Sequence, residues 1–202
     1  YHGEESRRTI VGCPGLSLAE EGSNVTYTNA ASEIPPAHIE TLCPEGLTYI
    51  FGCGRVGAAT ARVLTAAGFA VACDDRPGTL TPEWVPGVYD RRLVDYKNLS
   101  ELCPIGPRDL VVVATAGHKS DIDVVIQAMR AKPAYLGCLG SRRKTAFVRA
   151  RMEQEGFTQE QINGLHLPIG VAIQAEDPEE IAISIAAEMI HLRRTKLVPR
   201  KR

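Results

Sequence analysis

The sequence predicts an α/β fold, a doubly wound parallel sheet with helices on both faces, preceded by a small β-rich segment. A short apolar run at residues 47–51 is followed by the glycine-rich turn GCGRVG, a helical segment and a second apolar run that ends in an acid. Apolar runs then alternate with amphipathic segments as far as residue 192. Such alternation is typical of βαβ units covered on both faces, so the expected architecture is Rossmann-like.

The turn at residues 52–57 has the spacing G-x-G-x-x-G. Gly52 can make the tight turn, Gly54 lets backbone N–H groups approach a pyrophosphate, and Gly57 lets the helix lie close to the sheet. The helix predicted over 58–67 then presents free N–H donors to an anion. Alternatively the turn is empty and its glycines serve packing alone. The predicted phosphate-binding residues are Gly52, Cys53, Gly54, Arg55, Val56 and Gly57.

The second strand, predicted over 69–73, is followed by the acids of the sequence DDR. Asp74 lies about 20 residues after Gly52, where dinucleotide-binding folds place the acid that binds the ribose. Asp74 and Asp75 suit a ribose 2′-hydroxyl, whereas Arg76 suits a 2′-phosphate. These three residues are candidate cofactor contacts, and the nucleotide is left open between NAD and NADP.

Two later strands also end in polar residues. The strand predicted over 109–115 leads into TAGHKSD, and the one over 134–140 leads into GSRRK. Cations at a helix start oppose the macrodipole, so Arg142, Arg143 and Lys144 together are expected to face an anionic ligand or partner, and for any one of them a solvated basic face is the equal alternative. The carboxyl ends of parallel strands meet at one edge, so one binding cleft is predicted. Its candidate residues are Thr115, His118, Asp121, Gly140, Ser141, Arg142 and Lys144, and His118 with Asp121 either transfers protons or binds a ligand hydroxyl.

Three segments follow from these patterns. Residues 1–46 are expected to be the tail of a β-rich domain plus a linker at 34–38, with strands at 9–11 and 25–28. Residues 47–194 form the Rossmann-like domain, with a third strand within 88–96 and helices near 122–129, 141–156 and 178–192. Ser141 and Asp177 are expected N-caps, and residues 195–202 form a basic tail.

Composition narrows the class of protein. The chain has 202 residues, 44% of them apolar, and a net charge of −1, which argues against a nucleic-acid binder. No apolar run approaches the roughly 18–20 residues of a membrane span, and no signal peptide opens the sequence, so a cytoplasmic protein away from membranes is expected. The six cysteines are scattered without a C-x-x-C pair, so no metal site is predicted. Cys53 either has its pKa lowered by the N–H dipoles of the turn or is simply a small residue that fits.

The sequences GCGRVG, DDRP, TAGHKSD, YLGCLGSRRK and LPIGVAIQAEDPEEIAISIAAE, in this order and spacing, resemble the XdhC/CoxI family of xanthine dehydrogenase accessory proteins. The resemblance covers residues 47–194, the family's C-terminal Rossmann-like domain. It implies a chaperone rather than a catalyst, which binds the molybdenum cofactor as molybdopterin or its dinucleotide form. It further implies delivery to the apo-form of a molybdenum hydroxylase, suggests a sulfurase or nucleotidyltransferase as other partners, and leaves a homodimer open.

The chain departs from the family pattern at three positions. Arg55 stands where the glycine turn usually has His, Ala116 where Arg or His is common, and Gln174 where Gly is usual. The alternative function is an NAD(P)-dependent oxidoreductase, indicated by the glycine turn and Asp74. That alternative lacks support from a Tyr-x-x-x-Lys or His–carboxylate constellation in a substrate domain.

Overall fold

The computed structural model describes the backbone of residues 7–9, 16–21, 24–29, 38–41, 46–67, 70–99 and 101–197. Side chains are described from residue 46 onward within these ranges, except at positions 118, 142, 196 and 197. The chain forms two compact units, residues 1–45 and 46–202.

The first unit contains a four-stranded antiparallel sheet in the order β1-β2-β3-β4. Its strands are β1 (Arg7–Thr9), β2 (Leu16–Glu21), β3 (Asn24–Asn29) and β4 (His38–Thr41). The segment is β-rich, as predicted, and β3 contains the strand expected at 25–28. Strands β2 and β4 were not predicted. The strand expected at 9–11 overlaps β1 only at Thr9, and its other two positions, like most of the expected linker at 34–38, lie outside the described residues.

The second unit contains a five-stranded sheet in the order β7-β6-β5-β8-β9, in which every neighbouring pair is parallel. The strands are β5 (Thr48–Phe51), β6 (Ala70–Asp74), β7 (Asp90–Leu93), β8 (Leu110–Val113) and β9 (Tyr135–Cys138). The predicted doubly wound parallel sheet is therefore confirmed. The four strands other than β7 are fully buried, which explains their near-continuous apolar sequences.

In the described part of this unit, five α-helices cover the sheet: α1 (Arg55–Ala67), α2 (His118–Ala131), α3 (Arg142–Gln154), α4 (Gln159–Asn163) and α5 (Pro178–Leu192). A 3₁₀ turn lies at Pro77–Thr79 and a π-helical segment at Arg193–Leu197. Tyr49 and Phe51 of β5 pack with α2 and α3 on one face. Ile50 packs with α1 and α5 on the other, because successive strand side chains point to opposite faces. No helix among these is long and apolar enough to cross a bilayer.

The helix starts follow local capping chemistry. The Ser141 Oγ accepts a 3.4 Å hydrogen bond from the Lys144 N–H, as expected of an N-cap. At α5, Pro178 is the first helical residue, and Glu180 Oε2 accepts a 3.3 Å hydrogen bond from the N–H of Asp177. Both predicted N-caps are confirmed.

The segment after α4 adds to the edge of the sheet beyond β9. His166 in this segment pairs in parallel with Gly137. The His166 N–H donates to Leu136 O at 3.0 Å, and the Cys138 N–H donates to His166 O at 2.9 Å. A single bridge of this kind leaves no period-two pattern in the sequence, which is why it could not be predicted.

Candidate functional site

The glycine turn and the TAGHKSD loop meet at the carboxyl ends of two neighbouring strands. β5 and β8 are adjacent, but α1 packs on one face of the sheet and α2 on the other. This is the topological switch point, where ligands of doubly wound folds bind. Gly52 has φ +97°, and a Cβ added to it would lie 2.4 Å from the carbonyl oxygen of Ala114. Glycine is therefore needed to bring the two loops together.

The other two glycines of the turn differ in what surrounds them. A Cβ on Gly57 would lie 1.7 Å from Gly52 O, so α1 packs directly against the turn. A Cβ on Gly54 would meet no atom within 4 Å. Among the described residues, the backbone N–H groups of Arg55, Val56 and Gly57 have no hydrogen-bond acceptor. The turn thus has the open space and the free donors that a phosphate requires.

Asp74 lies at the end of β6, beside the turn, and is fully buried. Its Oδ2 accepts a 2.5 Å hydrogen bond from the Cys53 N–H, and its Oδ1 accepts from the Arg76 N–H at 3.0 Å and Nε at 3.1 Å. Burial works against the charged form, but the hydrogen bonds from Arg76 and from Cys53 N lower the pKa of Asp74. The carboxylate therefore fixes the glycine turn, while the neighbouring Asp75 is half exposed.

Cys53 is a buried thiol rather than a reactive one. Its Sγ lies 3.8 Å from the Cys73 carbonyl oxygen, to which it donates. Burial, reinforced by the negative charge of Asp74, raises the pKa of Cys53 to about 12. Of the two alternatives for Cys53, the structure supports a small residue that fits the turn over a thiol of lowered pKa, because desolvation outweighs the dipoles of the turn. On the outer side, Trp84 donates from Nε1 to the Cys53 carbonyl oxygen at 2.7 Å.

The strand ends of β8 and β9 are joined by a buried ion pair. Asp121 Oδ1 accepts hydrogen bonds from Thr115, at 3.0 Å from N and 2.7 Å from Oγ1. Asp121 Oδ2 is bound by Lys144 Nζ, which also donates to Leu139 O. The two side chains are 2% and 8% exposed, so the charge of Lys144 is neutralised inside the protein. The His118 side chain lies outside the described residues, so its predicted pairing with Asp121 stays a prediction.

A cavity of about 390 Å³ lies at the start of α3, lined by Ser141, Arg143, Lys144 and Phe147. Arg143 is exposed, and Phe147 is 59% exposed. Lys144 lines the cavity while paired with Asp121, and the Arg142 side chain is not described. Phe147 was not among the predicted site residues, although an exposed aromatic residue within the charged sequence SRRKTAFVRAR could have drawn attention to it.

A second polar cluster lies on α5, away from the predicted cleft residues. Glu188 Oε1 contacts His166 Nδ1 at 2.5 Å and accepts from the Tyr135 hydroxyl at 2.9 Å, while Oε2 accepts from the Gly170 N–H at 2.7 Å. Burial opposes the charged form, yet the hydrogen bonds from His166 and Tyr135 lower the pKa of Glu188. Glu188 therefore anchors residues 166–170 to α5.

Gln174 has φ +60°, in the left-handed region. Glycine adopts that region without a steric penalty, which accounts for the usual glycine at this position in the XdhC/CoxI pattern.

Together the sheet order and the loops define a Rossmann-like domain with a glycine-rich turn at its topological switch point. Residues 48–189 match the family described as the XdhC Rossmann domain, and the chain belongs to this family.

Three relatives and one solved structure are similar to this chain. "Uncharacterized protein YqeB" of Escherichia coli (strain K12) is 32% identical over 146 residues, 71% of this chain and 27% of that protein. A protein of Bacillus subtilis (strain 168) described as a probable subunit of xanthine dehydrogenase is 29% identical over 159 residues, 77% and 46% of the two chains. "Molybdenum cofactor insertion chaperone PaoD" of E. coli (strain K12) is 28% identical over 105 residues, which are 52% of this chain and 33% of that protein.

The solved structure, described as a xanthine dehydrogenase from Bacillus halodurans, has a TM-score of 0.68 at 24% identity. The alignment covers 90% of this chain and 56% of that one, and at this identity it supports the fold alone. The present chain spans between 27% and 46% of the lengths of the three sequence relatives.

Proposed function

We propose that this chain is a maturation chaperone that binds the molybdenum cofactor and helps to insert it into a molybdenum hydroxylase of the xanthine dehydrogenase type. The observation that carries the proposal is the meeting of the glycine turn with the loops after β8 and β9 at the switch point of an XdhC-family domain. The names of two relatives, a cofactor insertion chaperone and a probable subunit of xanthine dehydrogenase, support the same function.

The glycine turn offers the chemistry that the phosphate of the cofactor needs. Three backbone N–H groups at the start of α1 have no described acceptor, and the space in front of Gly54 is open. The exposed side chain of Arg55 adds a positive charge beside these donors. An anion at a helix start is stabilised by the free donors and by the macrodipole.

The cavity at the start of α3 suits the pterin part of the ligand. Phe147 presents an exposed aromatic surface against which a planar heterocycle can stack, and Arg143 supplies a cation beside it. Thr115, Asp121 and Lys144 hold the loops that carry this cavity in place. In this proposal these three residues position the site, and Arg143 and Phe147 contact the ligand.

The proposal extends to the partners and the place of action. The apo-hydroxylase receives the cofactor, and a cofactor sulfurase or a nucleotidyltransferase supplies it in the sulfurated or dinucleotide form. We place these steps in the cytoplasm.

The sequence leaves open whether the chain forms a homodimer. Light scattering of the purified chain measures its molar mass and so tests this.

Gel filtration of the chain mixed with molybdenum cofactor tests the proposal. The wild type should retain the cofactor, and Gly54→Val should weaken retention by about tenfold or more, because the added side chain fills the open space in front of the turn. Gly106→Ala is the matched control, since its Cβ would lie an ordinary 3.7 Å from Asp109 Oδ2. Retention equal to that of the wild type in Gly54→Val would place the ligand elsewhere, and no retention by the wild type would overturn the proposal.

The alternative, a nicotinamide-dependent oxidoreductase, is less well supported by the geometry. Both oxygens of Asp74 already accept hydrogen bonds from Cys53 and Arg76, so the acid expected to bind the ribose is occupied. Trp84 is 41% exposed and bonded to the turn, so its fluorescence should report a nucleotide bound there. Tight binding of NADH or NADPH together with substrate turnover would replace the chaperone proposal.

A further inference from the structure

Two buried cysteines face each other behind the predicted cleft. Cys73 is the fourth residue of β6, and Cys103 lies in the loop that precedes β8. Their sulfur atoms are 3.7 Å apart and share a thiol–thiol hydrogen bond. The residues are 0% and 2% exposed, and their proximity could not be predicted because thirty positions separate them in the chain.

The two thiols differ in chemical character. The hydrogen bond from Cys73 and the positive charge of Arg92 lower the pKa of Cys103, although burial acts in the opposite direction. The hydrogen bond to Cys103 and burial raise the pKa of Cys73. Arg92 is held in place by a 2.8 Å bond from Nε to Asp90 and a 2.6 Å bond from Nη1 to Leu102 O. Cys103 is therefore the better nucleophile, and Cys73 is the thiol placed to react second.

Cys103 also borders a cavity. This cavity has a volume of about 320 Å³ and is lined in addition by Leu99, Gln127 and Arg130. A small oxidant such as hydrogen peroxide fits into this cavity and would then lie next to Cys103, which is itself 2% exposed. Cys73 does not line the cavity and lies behind Cys103 in the core.

We propose that Cys73 and Cys103 form a redox-active dithiol that is converted reversibly to a disulfide by peroxide. The Cys103 thiolate attacks one peroxide oxygen, and the O–O bond breaks to give a sulfenic acid and hydroxide, which takes up a proton to become water. The Cys73 sulfur then attacks the Cys103 sulfur, the S–O bond breaks, and the hydroxyl leaves as a second water with the Cys73 proton. In total two thiols and one peroxide give one disulfide and two waters.

The disulfide would link the loop before β8 to the strand that supports the glycine turn. The carbonyl oxygen of Cys73 accepts a 2.8 Å hydrogen bond from the Gly52 N–H, and the next residue, Asp74, binds the N–H of Cys53. Bringing the sulfurs from 3.7 Å to a bond of about 2.0 Å requires a local shift at this junction. The dithiol itself does not depend on which ligand the turn binds, so its test is independent of the proposed function.

A metal site is a poorer use of this pair. Within residues 46–197, apart from the undescribed positions, no three His, Cys, Asp or Glu side chains group closely enough to hold a metal ion. The positive charge of Arg92 beside the two sulfurs further disfavours a bound cation.

Peptide mapping of the full-length chain after brief treatment with hydrogen peroxide tests the proposal. The expected product has lost two thiols and the mass of two hydrogen atoms, and it contains a cross-linked peptide joining Cys73 to Cys103. Dithiothreitol should restore both thiols. In Cys73→Ala the Cys103 sulfenic acid has no partner, so labelling by dimedone should rise severalfold over the wild type.

Cys138→Ser is the matched control, because Cys138 is another fully buried thiol of the same sheet. This variant should form the Cys73–Cys103 cross-link to the same extent as the wild type. The proposal is overturned if peroxide leaves both thiols of the wild type free, if Cys103 accumulates as sulfinic acid while Cys73 stays reduced, or if either cysteine pairs with a different one. The peptide map of the wild type decides the outcome by itself. If Cys73→Ala or Cys138→Ser fails to fold, the proposal is still tested by that map.

Discussion

Three carboxylates, Asp74, Asp121 and Glu188, show how single residues organise the parallel-sheet unit. Each is largely buried, and each accepts hydrogen bonds from at least two other residues. Buried carboxylates are tolerated only when they are paired in this way, since an isolated charge in the interior is costly. Replacing a residue that pairs with one of these carboxylates should therefore lower the stability of the protein markedly.

Replacing Lys144 by Met should destabilise the protein by about 3–5 kcal/mol, because Asp121 is left as an uncompensated buried charge. Chemical denaturation followed by circular dichroism measures the change. The double variant Lys144→Met with Asp121→Asn should recover part of the loss. Arg151→Met is the control on the same helix, since its pair with Glu155 is exposed and is worth about 1 kcal/mol or less. Equal losses of unfolding free energy in Lys144→Met and Arg151→Met would contradict a buried ion pair between Lys144 and Asp121.

Glu188 should contribute a pH-dependent part of the stability. Its pKa is lowered in the folded protein, so its contribution is present above the unfolded value of about 4.3 and is lost as the pH falls through the folded value. Glu188→Gln should therefore show a shallower loss of stability on acidification and should be about 1–3 kcal/mol less stable at neutral pH. Denaturation midpoints between neutral and acidic pH test this. Glu101→Gln is the control, because Glu101 is exposed. If Glu188→Gln loses stability on acidification as steeply as the wild type, Glu188 does not contribute the pH-dependent stability proposed here.

At the scale of elements, the glycine turn combines a packing requirement with an open site. Gly57→Ala should destabilise the protein by about 1–3 kcal/mol or more, because its Cβ would lie 1.7 Å from Gly52 O and α1 would have to move away. Gly54→Ala should change stability by less than about 0.5 kcal/mol, because nothing lies within 4 Å of its Cβ. Thermal unfolding of the two variants side by side measures the difference. Similar losses of thermal stability in the two variants would show that the space in front of Gly54 is not open.

The sequence predicted those elements whose patterns are local. Strands such as β5 and β8 appear as short apolar runs, and α5 carries its own capping residues, so their positions followed from the chain itself. The edge strand β7 was hard to recognise because its sequence DRRL is mostly charged. The bridge at His166 depends on a tertiary contact with Gly137, and propensity carries no information about it.

The candidate site was predictable only in part, for the same reason. The spacing of GCGRVG indicated the turn, and the strand ends indicated where its neighbours lie. That Asp74 is enclosed by Cys53 and Arg76, and that Lys144 is neutralised by Asp121, depends on side chains that meet across the fold. The cavity beside Phe147 likewise arises from the way α3 sits on the sheet, which spacing along the chain does not reveal.

At the scale of the whole molecule, the parallel-sheet unit contains its own core. The five strands of its sheet and the five α-helices that the structure describes lie within residues 46–202. A fragment of residues 46–202 should therefore fold alone and unfold in one cooperative transition, with a mixed α/β circular dichroism spectrum. Urea denaturation followed by circular dichroism tests this against the full chain. A gradual, non-cooperative loss of signal would show that the unit depends on residues 1–45.

The two edges of the parallel sheet have a consequence for association between molecules. Residues 166–169 lie along the β9 edge and bond to its backbone, and at the other edge β7 is four residues long and bears three charged side chains. Natural sheets use covered edges and short charged edge strands to prevent neighbouring chains from adding on by backbone pairing. Even at high concentration, the edges of this sheet therefore disfavour the kind of aggregation in which a strand of one molecule pairs with the sheet of another.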